Sequence, residues 1–213
     1  MSQAARCACS LETHDCRLVV VTGGPGAGKT ALLEIVRRDF CEHLAVLPES
    51  ASIVFGGGFP RRKTEAATSA AQRAIYRVQV ELERLVLEEH ASAVALCDRG
   101  TVDGIAYWPG EPASLWRDVG SSREAELARY HAVIHLRTPP AGEYNHSNPL
   151  RIEDAQEAAL IDERIAAAWR GHPRVFFVDH ALKFIDKVAA ALELIRNEIP
   201  ECCRAHQLAE VAR

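Results

Sequence analysis

At 213 residues the chain can bury one good-sized core and is short enough to be a single domain. A formal charge of -4 and a pI near 6.1 argue against partners held by bulk positive charge, so neither nucleic acid nor an acidic membrane is expected. Its longest apolar runs, such as residues 91–97 and 175–178, are far shorter than the ~20 residues a spanning helix needs, and residues 1–16 lack a secretory h-region; a cytoplasmic location is therefore expected.

Residues 1–16 read as a flexible tail. Cys7, Cys9, His14 and Cys16 lie within ten residues there, a grouping with zinc chemistry but no standard zinc spacing. Cys202, Cys203 and His206 form a similar group in a second tail, 200–213; in a chain of seven cysteines and this size, free thiols are preferred to a metal site or disulfides. Between the tails, a domain over 17–199 opens with Leu18–Thr22, β-branched and uninterrupted, the pattern of a strand buried on both faces. A helix over residues 29–43 follows, then a short strand, Leu44–Leu47. Residues 55–60, Phe-Gly-Gly-Gly-Phe-Pro, have little intrinsic order. Residues 66–90 predict a long helix with Ala71, Ile75, Val78, Leu82, Leu85 and Val86 on its buried stripe. A third strand, 93–97, leads to an irregular stretch over 108–122, where Ser121 and Glu124 suggest a capping box for a helix through Arg129. Strands at 132–136 and 174–178, helices at 153–169 and 183–198, and a loop over 138–149 complete the pattern. Alternating strands and helices predict an α/β, three-layer fold with a parallel five-stranded sheet and helical substrate and lid insertions.

Gly23-Gly24-Pro25-Gly26-Ala27-Gly28-Lys29-Thr30 matches G-x-x-x-x-G-K-[ST], between a buried strand and a helix as that motif requires. The glycines let successive N–H groups point at phosphate oxygens, and the helix start adds its positive dipole end. Lys29 suits the β- and γ-phosphates, and the Thr30 hydroxyl suits Mg²⁺. A plain glycine-rich turn needs no Lys-Thr pair at this offset. The expected cofactors are ATP, with GTP as the alternative, and Mg²⁺.

The sequence lacks the N-K-x-D motif of signalling GTPases and the L-S-G-G-Q signature of ABC ATPases. Its third strand ends Cys97-Asp98-Arg99-Gly100, where ring-forming AAA+ machines carry Asp-Glu. Asp98 can hold Mg²⁺, but Arg99 cannot deprotonate water and can clamp a phosphoryl group. Transfer to a bound acceptor is therefore favoured over hydrolysis. The P-loop, Pro48-Glu49-Ser50, Asp98-Arg99-Gly100, Asp103, Tyr107 and Asn148-Pro149-Leu150-Arg151 resemble the ribosylnicotinamide-kinase-like branch of P-loop kinases. That branch lies within the nucleoside and nucleotide kinase group, and many "AAA domain" ATPases share its pattern.

This resemblance implies that Glu49 accepts the proton of an acceptor hydroxyl; a helix-terminal charge or a surface ion pair is the plainer reading. Asp98 ends a buried strand at the edge where ligands of α/β sheets gather. Asp103 and Tyr107, one helical turn apart, are candidate substrate contacts, with packing or capping as the alternative. Arg61, Arg62 and Lys63 follow the glycine loop; they form a solvated face or suit an anionic acceptor such as a nucleoside monophosphate. Arg151 and Arg137 bracket the 138–149 loop as lid arginines, Arg137 alternatively lining the base pocket. The expected activity is Mg²⁺-dependent phosphoryl transfer to a small-molecule hydroxyl. A nucleotide-dependent switch signalling to a protein and an antibiotic-modifying phosphotransferase are the alternatives, and a homo-oligomer is compatible with any of these.

Overall fold

A computed structural model describes residues 15–41, 43–139, 155–179 and 183–201. Five strands, β1 (Arg17–Thr22), β2 (Leu44–Leu47), β3 (Val94–Asp98), β4 (Ala132–Leu136) and β5 (Val175–Val178), form one parallel sheet in the order β2-β3-β1-β4-β5. Central β1 pairs Val20 with Cys97 on one side and with Val133 on the other. Both faces of the sheet are covered, as the uninterrupted apolar strands demand. Val19 and Val21 point to a layer formed by α1 (Lys29–Asp39) and α7 (Phe184–Glu198), where they meet Leu32, Leu33, Val188 and Ile195. Leu18 and Val20 point the other way, to Tyr76, Val102, Leu115, Ile165 and Trp169. These come from α3 (Glu65–Glu89), a 3₁₀ helix (Thr101–Tyr107), α4 (Pro112–Val119), α6 (Ala155–Ala168) and, for Trp169, the turn that follows α6. Two short helices, α2 (Ser50–Gly56) and α5 (Arg123–Ala128), complete this layer.

Several boundaries differ from those expected. The first helix stops at Asp39 because Phe40 turns extended, and the Leu44 N–H closes onto Cys41 O before β2. The stretch 108–122 is not irregular: Pro112 starts α4 at a position where its missing N–H costs nothing. Gly120 ends α4 in the left-handed region (φ 73°), its N–H donating to Arg117 O and that of Ser121 to Trp116 O. Ser121 is thus used up closing α4, and Ser122 caps α5 instead, its Oγ accepting from the Ala125 N–H. Residue 153 lies outside the described residues.

The stripe of α3 is rotated from the aliphatic one expected. Ala71 and Val86 are buried, but so are Gln72, Tyr76, Gln79 and Glu83, while Leu85 is 53% exposed. Polar groups hold this face. The Ser50 hydroxyl donates to Gln79 Oε1 (2.5 Å) and the Gln79 amide to Glu83 (2.8 Å). Glu83 also accepts from Tyr130 and Arg129. Tyr76 and Thr101 donate to Glu126 at 2.7 Å each. A completed network of this kind specifies one packing of α3.

Candidate functional site

The loop between β1 and α1 is shaped by close approaches that exclude side chains. A Cβ on Gly23 (φ 134°) would lie 2.0 Å from Leu136 O, and one on Gly28 (φ 96°, the N-cap of α1) 2.6 Å from the Phe184 ring. The loop is braced from both layers. Asp162 of α6 accepts from the Gly24 N–H at 2.8 Å, and Lys187 of α7 donates to Ala27 O at 2.9 Å. Pro25 and Gly26 form the turn between these braces, Pro25 O accepting from Thr138. Lys29 is buried and donates to Gly23 O and Gly24 O at 2.8 and 3.0 Å. Burial first, then the Arg99 charge, pushes its amine down to about 7 against the pull of Asp98, Glu49 and Asp103.

Asp98 ends β3 beside Lys29 with its Oδ1 buried and without a hydrogen-bond partner among the described residues. Burial raises its pKa above the ordinary value although Lys29 opposes. A buried, unmatched carboxylate oxygen together with the exposed Thr30 hydroxyl on the first turn of α1 is the hard-oxygen donor set that fits Mg²⁺. Such an ion takes one or two protein groups and leaves its other positions to water and phosphate.

Arg99 occupies the left-handed region (φ 72°), a costly backbone for a non-glycine residue. That turn lays its guanidinium across the site: it donates to Glu49 Oε1 (2.9 Å) and to Gly23 O (3.2 Å), and lies 3.7 Å from Asp103 and 5.8 Å from the Tyr107 ring centre. Burial opposes its charge, but Tyr107, Asp103 and Glu49 outweigh that and raise its pKa further, so it stays cationic. Glu49 is the N-cap residue of α2, and its second oxygen accepts from Ser52 (2.6 Å). Burial pushes its carboxyl up, yet Arg99, Ser52 and Lys29 together hold it below the ordinary range. Glu49 therefore has a helix-terminal position and an ion pair as well as an outlook onto the site.

Glu49, Thr30, Arg99 and Tyr107 line a cavity of about 960 Å³, and so do Arg61, Arg62 and Lys63 from the α2–α3 connection. Asp103 lines the same cavity and also has the packing role that was its alternative reading. It is 2% exposed, its Oδ2 accepting from Thr22 and its Oδ1 from Trp169 Nε1, both at 2.5 Å, so it braces Arg99 and the end of β1. Arg137 donates to Asp162 (3.1 Å) and Glu163 (2.9 Å) and stacks on Phe177 (4.9 Å). Arg151 and the rest of the 138–149 loop beyond Pro139 lie outside the described residues, as do Cys7, Cys9, His14, Cys202, Cys203 and His206.

Sequence reasoning missed Asp162. Besides Gly24 it accepts from His135 Nε2 (2.9 Å), Arg137 and Thr138 (3.3 Å), tying α6, β4 and the P-loop together. The signal was present: Asp162 falls on the stripe of Ala158, Ile165 and Trp169, and a carboxylate on a buried stripe must be paired. Gln72, also missed, is a polar residue on the buried face of α3 that lines the cavity.

Residues 18–183 match a family described as an AAA domain. No curated protein matches the sequence. Among solved structures, thymidylate kinase from Candida albicans superposes with a TM-score of 0.56 at 15% identity, over 86% of this chain and 92% of that one. The NadR protein, solved in complex with NR, superposes with a TM-score of 0.63 at 15% identity, over 94% of this chain. The match takes in 55% of the NadR chain, so this protein spans about half of NadR's length. At such identities the likeness establishes the fold, which is that of the P-loop kinases.

Proposed function

The chain belongs to the AAA domain family, and we propose that it binds Mg·ATP and transfers the γ-phosphoryl group to a hydroxyl of a small molecule. The observation that carries this reading is the bridge made by Arg99, which joins the P-loop carbonyl of Gly23 to Glu49 in the wall of the large cavity. An acceptor in that cavity lies between a carboxylate and the phosphate loop, the juxtaposition in-line transfer needs. Glu49 takes the hydroxyl proton as the acceptor oxygen bonds to the γ-phosphorus and the bond to the β-phosphate oxygen breaks, releasing ADP. Lys29 and Arg99 supply fixed positive charge to the phosphoryl oxygens. Thr30 and Asp98 would hold Mg²⁺, which when bound would neutralise phosphate charge. Arg137 steadies the nucleotide, and Arg151 closes the lid over the transferred group. The reaction belongs to the cytoplasm, with the domain bounded at residues 17 and 199.

Glu49→Gln tests the assignment, since it keeps the shape of the ion-paired side chain and removes the base. Acceptor-dependent ADP release falls about 10²–10⁴-fold, while calorimetric Mg·ATP affinity stays within a few-fold of wild type. Because the Glu49 carboxyl is held below its ordinary range, the base is ionised at every pH above about 5, and the rate shows no acid limb there. A wild-type transfer rate in the variant removes Glu49 from the mechanism.

A further inference from the structure

We propose that the acceptor is itself an anion, a phosphate monoester whose charged group is held by Arg61, Arg62 and Lys63 and whose neutral hydrogen-bonding portion is read by Gln72. This rests on the kinase reading of the same cavity and names its substrate class.

The charges in the wall are unevenly matched. Its two carboxylates, Glu49 and Asp103, both pair with Arg99. Arg61, Arg62 and Lys63 are exposed, line the same space and make no ion pair among the described residues. Arg61 is laid on the cavity wall by the Phe55 ring, 4.6 Å from its guanidinium carbon. Thr64, capping the 25-residue helix α3, comes directly after these cations, and Ala67 and Thr68 of its first turns line the cavity too. The positive end of that helix adds to the three side chains, with Glu65 in its first turn as a partial offset. Such a wall favours a dianion and repels a cationic acceptor.

Gln72 is the second, independent observation. It is 9% exposed, lines the cavity and has no hydrogen-bond partner among the described residues. Its polar neighbours are already committed: Ser50 to Gln79, Gln79 to Glu83, and Tyr76 to Glu126. An amide carries donors and an acceptor, and those of Gln72 open onto the cavity with no protein group among the described residues to meet them. The amide is thus left to the ligand. Ala71, Ile75 and Leu115 supply apolar surface beside it for a ring-sized group. The cavity, at about 960 Å³, has room for both parts together.

The test uses matched acceptors with and without a phosphate, namely ribose with ribose 5-phosphate and each common nucleoside with its 5′-monophosphate, read as ADP release from Mg·ATP. The best phosphorylated member should have a KM at least about tenfold below its neutral partner. Replacing all three cations (R61Q/R62Q/K63Q) should raise that KM about tenfold, with calorimetric Mg·ATP affinity within twofold of wild type. Q72L should raise KM for the monophosphates and not for ribose 5-phosphate. Equal use of neutral and phosphorylated members, or an unchanged KM in the triple variant, overturns the proposal. If no member stimulates ADP release, the kinase reading fails, and the anion site is judged alone. Ribose 5-phosphate is then titrated calorimetrically into protein saturated with a non-hydrolysable Mg·ATP analogue. Binding that the triple variant loses supports the site, and absent or unaltered binding overturns it.

Discussion

Asp162 is the residue whose removal should do the most damage at a distance from the chemistry. It is 4% exposed and accepts four hydrogen bonds of 2.8–3.3 Å, from Gly24, His135, Arg137 and Thr138. Burial would raise its pKa, but His135, the Gly24 N–H and Arg137 overcome that and hold it well below the carboxylate range. Asp162→Ala strands a buried imidazole and a buried amide N–H, and breaking a buried charged cluster typically costs about 3–5 kcal/mol. For a chain of this length each kcal/mol shifts Tm by about 2–4 °C, so a fall of roughly 6–20 °C is expected by differential scanning calorimetry. The sign of the pH dependence is also fixed. A carboxylate with a depressed folded pKa contributes fully above the unfolded value of ~3.9 and loses that contribution as pH falls. The stability gap between wild type and variant should therefore narrow below pH 4, by about 1 kcal/mol at pH 3, or about 2–4 °C in Tm. Because Gly24 loses its anchor, Mg·ATP affinity should fall about tenfold even though Asp162 is not assigned to the phosphates. A Tm within 2 °C of wild type at pH 7 would refute the reasoning, as would a gap that does not change with pH.

Lys29→Ala should lower Mg·ATP affinity about 10²–10³-fold, the cost of one lost fixed donor to the phosphates, with an unchanged far-UV spectrum; retained affinity removes its assigned role. Since its amine is pushed down to about 7, wild-type nucleotide binding at pH 8 should take up a proton, measurable by calorimetry in buffers of different ionisation enthalpy and missing in the variant. Asp98→Asn should leave Tm unchanged or raise it, because burial already penalises this carboxylate, while the Mg²⁺ concentration for half-maximal activity rises; a lower Tm with normal metal dependence contradicts the donor assignment. Glu83→Gln should destabilise by about 3–5 kcal/mol, since Glu83 is fully buried against Arg129, Tyr130 and Gln79. A chemical-denaturation midpoint equal to wild type would show that the network carries no stability.

How much of this could be read in advance depended on whether the information was local. The five strands and the P-loop were legible within one or two residues because a β-branched apolar run and a glycine-rich turn declare themselves through short-range sterics. Asp98 and Arg99 were legible as the end of a buried strand, but the left-handed backbone of Arg99 was not, and that backbone is what turns the guanidinium toward Glu49 and Gly23. α4 hid behind Pro112 and Gly120, residues that read as breakers and act as its start and stop. On α3 the error was one of assumption. Aliphatic spacing chose the stripe containing Leu85, whereas the face that is buried carries Gln72, Gln79 and Glu83, because their partners Ser50, Tyr130 and Arg129 come from 20 to 50 residues away in sequence. Once those long-range bonds are complete, burying the amides and the carboxylate costs little, and the helix turns its polar side toward the cavity. For Asp103 the sequence left substrate contact and packing open, and its bonds to Thr22, Trp169 and Arg99 supply the packing half of that choice. Gln72 is the exception on its face, an amide that opens onto the cavity without a partner among the described residues, so its donors and acceptor are available to the site and are not used by the fold.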